Sequence, residues 1–377
     1  MKTLLILAWS DLSKDPRVYR QIQLLSKTYR IIASGLADPK VDGVRFIRLV
    51  PQQRQFAHKM IYSGLLLLGA YEIYYWKRPW IHDCLEYLSD VQADLILAND
   101  IDMLPVALKI ARNRSKVIVD LHEYAPSEFE DNFLWRFLFQ SYKSYLCRRY
   151  LPITDGAMTV CDSIRQEYSR KFGMDSVVVM NMAKFFDLHP SETHESTIKM
   201  VHHGGAVRSR RIENMIDIMT YLDERFSLDL ILVPSDQRYL NELKNKAKKM
   251  PRVRFLSPLP MTSLAEQLNS YDIGLYLLPP NSFNNRYALP NKFFEFIQAR
   301  LAIAIGPSPE MGKFVNEYNL GVLAEDFSPI SLANKLNQLT RDQIAHYKTL
   351  SHAAARKLSF EANTETLLGV VKGILGE

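Results

Sequence analysis

A chain of 377 residues, 47% hydrophobic and 23% charged, is long enough for two globular domains and too apolar to be disordered. Three scattered cysteines (Cys84, Cys147 and Cys161) exclude a disulfide framework and a cysteine zinc site, and point to a reducing, cytoplasmic setting. The formal net charge of +6 comes without a zinc finger, an RNP-like aromatic motif or a long Lys/Arg tract, so no nucleic-acid partner is expected and the excess suits a phosphorylated ligand or an anionic membrane surface.

The opening run MKTLLILAWSD has the apolar look of a leader. It is short and leads into SDLSKDPR without a small-residue cleavage pattern, so it reads as a buried first strand. Short apolar runs then alternate with helical periodicity, the pattern of βαβ units on a parallel sheet. Strands are expected at 3–8, 30–34, 44–48, 95–98, 117–120, 157–160 and 177–180. The clearest helix between them is PRVYRQIQLLSKTY, with proline near its start. One stretch, from Phe56 to Trp80, breaks the rhythm: it is apolar, rich in tyrosine and tryptophan, and basic at both ends. It is slightly short for a membrane span and contains Glu72, so it is either an interfacial helix or a buried helix of the first domain. FLWRFLFQSYKSYLCRRY, at 133–150, has a similar aromatic and basic character.

Residues 185–199 are polar and lack periodicity, as a linker would. The alternation restarts with strands expected at 200–203, 228–233, 253–255, 273–277 and 302–305, and a last helix at 363–376. The expected architecture is α/β, with two Rossmann-like doubly wound domains: an N-terminal domain at 1–185, a linker at 186–199, a C-terminal domain at 200–355, and a helix at 356–377 that can return to the N-terminal domain. Ligands of such sheets lie beyond the carboxyl ends of the strands.

Chemistry-bearing residues gather at those strand ends. The loop after the first strand carries Asp15, Arg17 and Arg20, either at a binding rim or as a solvated helix start. LANDIDMLP ends a strand in Asn99, Asp100 and Asp102, which either bind hydroxyls or cap the following helix. VIVDLHEY ends another in Asp120, His122 and Glu123; the histidine is either a structural residue or one that donates to a sugar hydroxyl or acts as a base. In the second half, HHGGAVRSRRIENM combines Gly204 and Gly205 with Arg208, Arg210 and Arg211 at a helix start, which suits a diphosphate. No Walker loop and no G-x-G-x-x-G fingerprint is present. In NNRYALPNKFFEF, Asn291, Lys292 and the backbone N–H groups after Pro290 can hold the same diphosphate, and Glu295 can accept from a ribose diol. With no metal-ligand motif in view, arginine and lysine are expected in place of magnesium, and no cofactor is expected.

At these residues the chain resembles the family-four retaining glycosyltransferases, which have the GT-B fold, two Rossmann-like domains facing a central cleft. The resemblance rests on DPRVYRQIQLL, ADLILANDIDMLP, VIVDLHEY, GAMTVCDSIRQEYSRKFG, HHGGAVRSRRIEN, YDIGLYLLP, ALPNKFFEFIQARLAIAIGPSPEM and NLGVLAEDFSP, in family order. It implies metal-independent transfer of a sugar from a UDP- or GDP-linked donor to a hydroxyl of a glycan or lipid-linked acceptor, in surface polysaccharide biosynthesis. Glu295 then matches the second glutamate of the Glu-x7-Glu motif, Arg210 the residue on the pyrophosphate, and His122 the histidine at the donor sugar. Asp15, Arg17, Asn99 and Asp100 fall on the acceptor side, and His122, Arg210 and Lys292 are the expected catalytic set. Two positions depart from the pattern: Tyr287 stands at the first glutamate, and Gly205 stands where an arginine often follows the glycine, with Arg208 nearby. A GT-B sugar-nucleotide epimerase and a non-catalytic nucleotide-sugar-binding partner are the alternatives. Association with the inner face of the cell membrane is expected to run through the stretch from Phe56 to Trp80.

Overall fold

The computed structural model describes residues 1–50, 56–193 and 196–377. The chain forms two compact units, Met1–Val179 with Thr364–Glu377, and Met180–Asn363. Residues 194 and 195 of the expected linker lie outside the described residues.

The first unit is built on a parallel sheet of β1 (Thr3–Leu7), β2 (Arg30–Gly35), β3 (Arg45–Arg48), β4 (Leu95–Asn99), β5 (Lys116–Leu121), β6 (Gly156–Thr159) and β7 (Val177–Val178). Their order across the sheet is β3-β2-β1-β4-β5-β6-β7. A parallel sheet covered by helices on both faces needs side chains that are apolar on both faces, and TLLIL and LILAN supply them. Leu4–Leu7 pair with Leu95–Ala98 on one side and with Ile31–Ser34 on the other. The helix Pro16–Leu25 follows β1; Asp15 caps it by accepting from the Val18 N–H, and Pro16 occupies its first turn. Its buried face carries Val18, Ile22 and Leu25, but also Arg17 and Gln21. Those two polar residues reach the Asp120 carboxylate on β5.

The second unit repeats the plan with β8 (Ile198–Gly205), β9 (Phe226–Val233), β10 (Val253–Leu256), β11 (Ile273–Tyr276), β12 (Ala302–Ile305) and β13 (Gly321–Leu323), ordered β10-β9-β8-β11-β12-β13. In each sheet the order reverses beside the first strand, between β1 and β4 and between β8 and β11, which makes the doubly wound switch point. All twelve expected strands form, and β13 is an addition. It is a half-buried edge strand of three residues, too short to carry a pattern.

The polar segment after 185 is fastened to the second unit. Arg300, fully buried, donates to the carbonyls of Phe186 (2.5 Å) and Leu188 (3.1 Å), and Lys348 donates to Ser191 Oγ (2.9 Å). The last helix, Phe360–Leu375, starts in the second unit, where Asn363 donates to the Met180 carbonyl (2.8 Å). From Thr364 onward it belongs to the first, where Lys2 Nζ donates to the Leu375 carbonyl (2.9 Å).

The aromatic stretch resolves into the helices Phe56–Leu67 and Tyr71–Trp76 and the start of Pro79–Tyr87. Its side chains divide between buried and exposed, and the buried reading holds for the first group. Tyr74, Tyr75 and Trp80 are buried, and Glu72 is tied inward by Trp76 Nε1 (2.6 Å) and by the hydroxyls of Tyr145 (2.6 Å) and Tyr150 (3.0 Å). Met60, Ile61, Leu67, Leu68 and Ile73 are exposed, as are Phe129, Phe133, Leu134 and Phe137 at and before the start of the helix Phe133–Tyr150. Among the described residues no helix is long and apolar enough to cross a membrane.

Candidate functional site

In the second unit, the last residue but one of β8 is Gly204, whose φ of +125° lies in a region that side chains rarely adopt. A Cβ there would come within 2.9 Å of Lys292 Nζ. Lys292 stands in the first turn of the helix Asn291–Gln298, whose N-cap, Pro290, offers no side-chain cap. Its side chain is buried, its ammonium lies 4.4 Å from the Tyr276 ring centroid, and among the described residues Nζ has no hydrogen-bond partner. Burial and the Arg210 guanidinium hold its pKa well below the usual lysine value, with Glu295 pulling weakly the other way.

Arg210 closes the turn Arg208–Arg210, with Nη1 3.5 Å from the Gly205 carbonyl oxygen. Asn281 and Asn285 both donate to the Ser209 carbonyl (2.8 and 3.2 Å) and so fix this turn. Buried His202 faces the Leu275 carbonyl through Nδ1 at 3.0 Å, and its Nε2 has no hydrogen-bond partner among the described residues. His203 Nε2 lies 3.4 Å from Glu295 Oε2, without the alignment of a hydrogen bond. Burial, then the Lys292 charge, push His203 down to about 3, so this is a contact of a neutral imidazole with a carboxylate. Three buried basic side chains and one arginine thus surround a helix start with a single carboxylate among them. Such an arrangement disfavours its own charging and suits an anion that would restore it.

The other expected donor residues divide. Asn291 is half-buried at the helix start beside Lys292, and at Gly205 a Cβ would come within 2.8 Å of Ser235 Oγ and 3.7 Å of Arg210 Nη1. Arg208 is engaged elsewhere: its guanidinium makes two hydrogen bonds to Glu242 (2.7 and 2.9 Å) and lies over the Tyr239 ring. Tyr287 packs on Phe283 with 4.8 Å between ring centroids, and Arg286 lies over its ring.

In the first unit the centre is Asp120, at the end of β5 and fully buried. Arg17 donates to both its oxygens (2.7 Å each) and to the Val179 carbonyl (2.8 Å), and Gln21 adds a third bond to the carboxylate at 2.5 Å. Burial alone would raise Asp120; the charges of Arg17 and His122 reverse it and hold the carboxyl far below its usual range. All three Arg17 guanidinium nitrogens point inward, so this residue orders the loop rather than facing a ligand. His122 Nε2 lies 3.1 Å from Asn99 Oδ1 and 3.4 Å from Asp120 Oδ2, and Nδ1 lies 3.6 Å from Asp100 Oδ2. Burial opposes its charge, but Asp100 and Asp120 outweigh it and push the pKa up to about 9. His122 is therefore an imidazolium at neutral pH, a hydrogen-bond donor rather than a base.

A recess of about 310 Å³ opens beside these groups, lined by Ser10, Asp15, Asn99, Asp100 and Met103 from the strand ends and by Trp9, Arg78, Trp80, Asp102 and Glu128. Lys143 bridges Asp102 and Glu128. Asp15, Asn99 and Asp100 were expected here; Trp9, Arg78, Trp80, Lys143 and Glu128 were not, because nothing in their spacing announces them. Lys143 and Asp102 are 41 residues apart, and Arg17 and Asp120 are 103 apart. Among the described residues, no group of three or more His, Cys, Asp or Glu side chains is placed to hold a metal ion.

No family model and no curated protein matches the chain. Solved structures do. Sucrose-phosphate synthase from Thermosynechococcus elongatus superposes with a TM-score of 0.77 at 12% identity, covering 100% of both chains. Anabaena HepE in complex with UDP-glucose superposes with a TM-score of 0.74 at 14% identity, over 99% of this chain and 100% of that one. S. aureus TarM, in complex with UDP among other ligands, has a TM-score of 0.63 at 12% identity over 79% of this chain, which spans 59% of TarM's length. The chain has the GT-B fold that these enzymes share.

Proposed function

We propose that the protein is a retaining glycosyltransferase that moves a sugar from a UDP- or GDP-linked donor to a hydroxyl of a glycan or lipid-linked acceptor. One observation carries the reading: Lys292, buried with no hydrogen-bond partner among the described residues, stands with Arg210 at a glycine-lined strand end and an uncapped helix start, a site for a diphosphate. Glu295, further along the same helix, is the acceptor for the ribose hydroxyls. The likeness in fold to enzymes that bind UDP or UDP-glucose agrees with it.

Transfer breaks the bond between the anomeric carbon and the diphosphate oxygen and forms a bond from that carbon to the acceptor oxygen on the same face. Charge develops on the departing diphosphate, where Lys292 and Arg210 stabilise it electrostatically. The departing phosphate takes the acceptor's proton, so no protein nucleophile and no metal is required. His122, as an imidazolium, donates a hydrogen bond to a sugar hydroxyl. The acceptor's lipid carrier is suggested by the exposed apolar side chains of the first unit and by the net charge of +6.

The test is transfer itself: incubation with a nucleotide sugar and a panel of glycan acceptors, with the product's anomeric configuration read by NMR. A product that forms only with acceptor and keeps the donor's configuration is the result expected. Epimerised free sugar without acceptor, or inverted product, would overturn it.

A further inference from the structure

We infer that the recess of the first unit is a subsite for an uncharged sugar ring of the acceptor, seated against Trp9 and Trp80, and that its acidic lining excludes phosphorylated and uronic acid residues. This rests on the glycosyl-transfer reading and adds the substrate class at the acceptor end.

The argument begins with two buried polar groups. Asn99 is 2% exposed and Arg78 is 7% exposed; both line the recess, and among the described residues Asn99 Nδ2 and Arg78 Nη2 lack hydrogen-bond partners. Buried donors are costly to leave unmade, and here a ligand hydroxyl would satisfy them. Acceptors stand opposite in the same lining: Asp15, whose Oδ2 already takes a bond from Ser10 Oγ (2.8 Å), and Asp100, whose side chain is 53% exposed. Donors and carboxylates in one small recess are what a polyol requires, because each hydroxyl both donates and accepts.

Apolar surface completes the set. Trp9 and Trp80 pack against each other with 4.3 Å between ring centroids and their planes tilted by 34°, and the Arg78 guanidinium lies over Trp80 (4.7 Å) and Tyr75 (4.6 Å). This packing holds the indoles and the guanidinium rigid, so little side-chain freedom is lost on binding. A pyranose presents C–H groups on its faces and hydroxyls on its edge, and a cavity of about 310 Å³ has room for one ring.

Charge decides which ring. The lining carries four carboxylates (Asp15, Asp100, Asp102 and Glu128) against one guanidinium. Lys143 and His122, just behind it, leave the balance negative. A phosphate or uronate would meet that field at close range in a partly desolvated pocket, where repulsion is poorly screened.

The experiment reads ligand binding to the full chain by saturation-transfer NMR and tryptophan fluorescence, with and without saturating UDP. The probes are the methyl glycosides of glucose, galactose, mannose and N-acetylglucosamine, with glucose 6-phosphate and glucuronate as anionic counterparts. At least one neutral glycoside binds, Trp9→Ala weakens it about tenfold or more, and neither anionic sugar competes. Asp100→Asn, on a half-exposed side chain that should not disturb folding, weakens the neutral ligand and relieves the discrimination against glucose 6-phosphate. Absence of binding by every neutral glycoside in both states, equal affinity for the anionic sugars, or unchanged affinity in both variants overturns the proposal. The probes contain no diphosphate, so this outcome is independent of whether the second unit binds a nucleotide.

Discussion

Burial and Arg210 both oppose the charge on Lys292 and hold its pKa well below the usual lysine value. A diphosphate placed against it favours the charged form again, so binding is expected to be linked to proton uptake. Calorimetry of the nucleoside diphosphate near pH 8, in buffers of different ionisation enthalpy, should show net proton uptake by the wild type and none by Lys292→Met. Affinity should rise as pH falls, and buffer-independent enthalpies would contradict this picture. Lys292→Met should also weaken binding about 10- to 100-fold, the size of one or two charge-assisted hydrogen bonds. His122 makes the complementary prediction for stability. Its pKa in the fold, about 9, lies above its ordinary 6.5. The stabilisation it brings is therefore complete below pH 6.5 and is lost as pH rises through 9. Denaturant midpoints measured across that window should fall for the wild type and flatten for His122→Asn. Asp120→Ala is harsher, because it strands Arg17 in the interior, and should cost ~3–5 kcal/mol of unfolding free energy.

At the scale of elements, both sites are strand ends. Gly204, next to the end of β8, has a backbone conformation that resists a side chain, and the position its Cβ would take is already against Lys292 Nζ. Gly204→Val should therefore abolish diphosphate binding while leaving the far-UV circular dichroism unchanged; retained affinity would show that the glycine serves only the turn. The strands were legible in the sequence for the reason they are stable: TLLIL, LILAN and AIAI are apolar on both faces because both faces are covered. Gly204, Arg210, Lys292 and Glu295 were legible because a strand end, a glycine turn and a helix start are local features. Arg208 had the same local signature, but its partner Glu242 sits on a helix 34 residues away, and sequence spacing cannot reveal that pairing. Nor can it reveal Lys143 between Asp102 and Glu128, or a polar segment after 185 that Arg300 fastens down through two backbone carbonyls. These are long-range satisfactions of buried charge, and they emerge only from the packing.

At the scale of the whole molecule, two similar α/β units serve two different ligand chemistries in the proposed function. The second gathers Lys292, Arg210, His202 and His203 around Glu295; the first gathers acids and indoles. A net charge of +6 and the exposed apolar side chains of the first unit suit a protein that works against an anionic bilayer. Flotation with vesicles containing anionic lipid should carry the wild type upward, and Leu68→Ser combined with Phe133→Ser should reduce the bound fraction severalfold; equal flotation of both would remove the apolar side chains from the account. The central claim remains the diphosphate at Lys292, Arg210 and Glu295. It is tested most directly by calorimetry of UDP, GDP and ADP, each with and without an attached sugar, on wild type and Glu295→Ala. One diphosphate should bind the wild type, and the variant should bind it about 10- to 100-fold more weakly through loss of the ribose contact. Failure of all three to bind, or equal affinity in the two proteins, would contradict it.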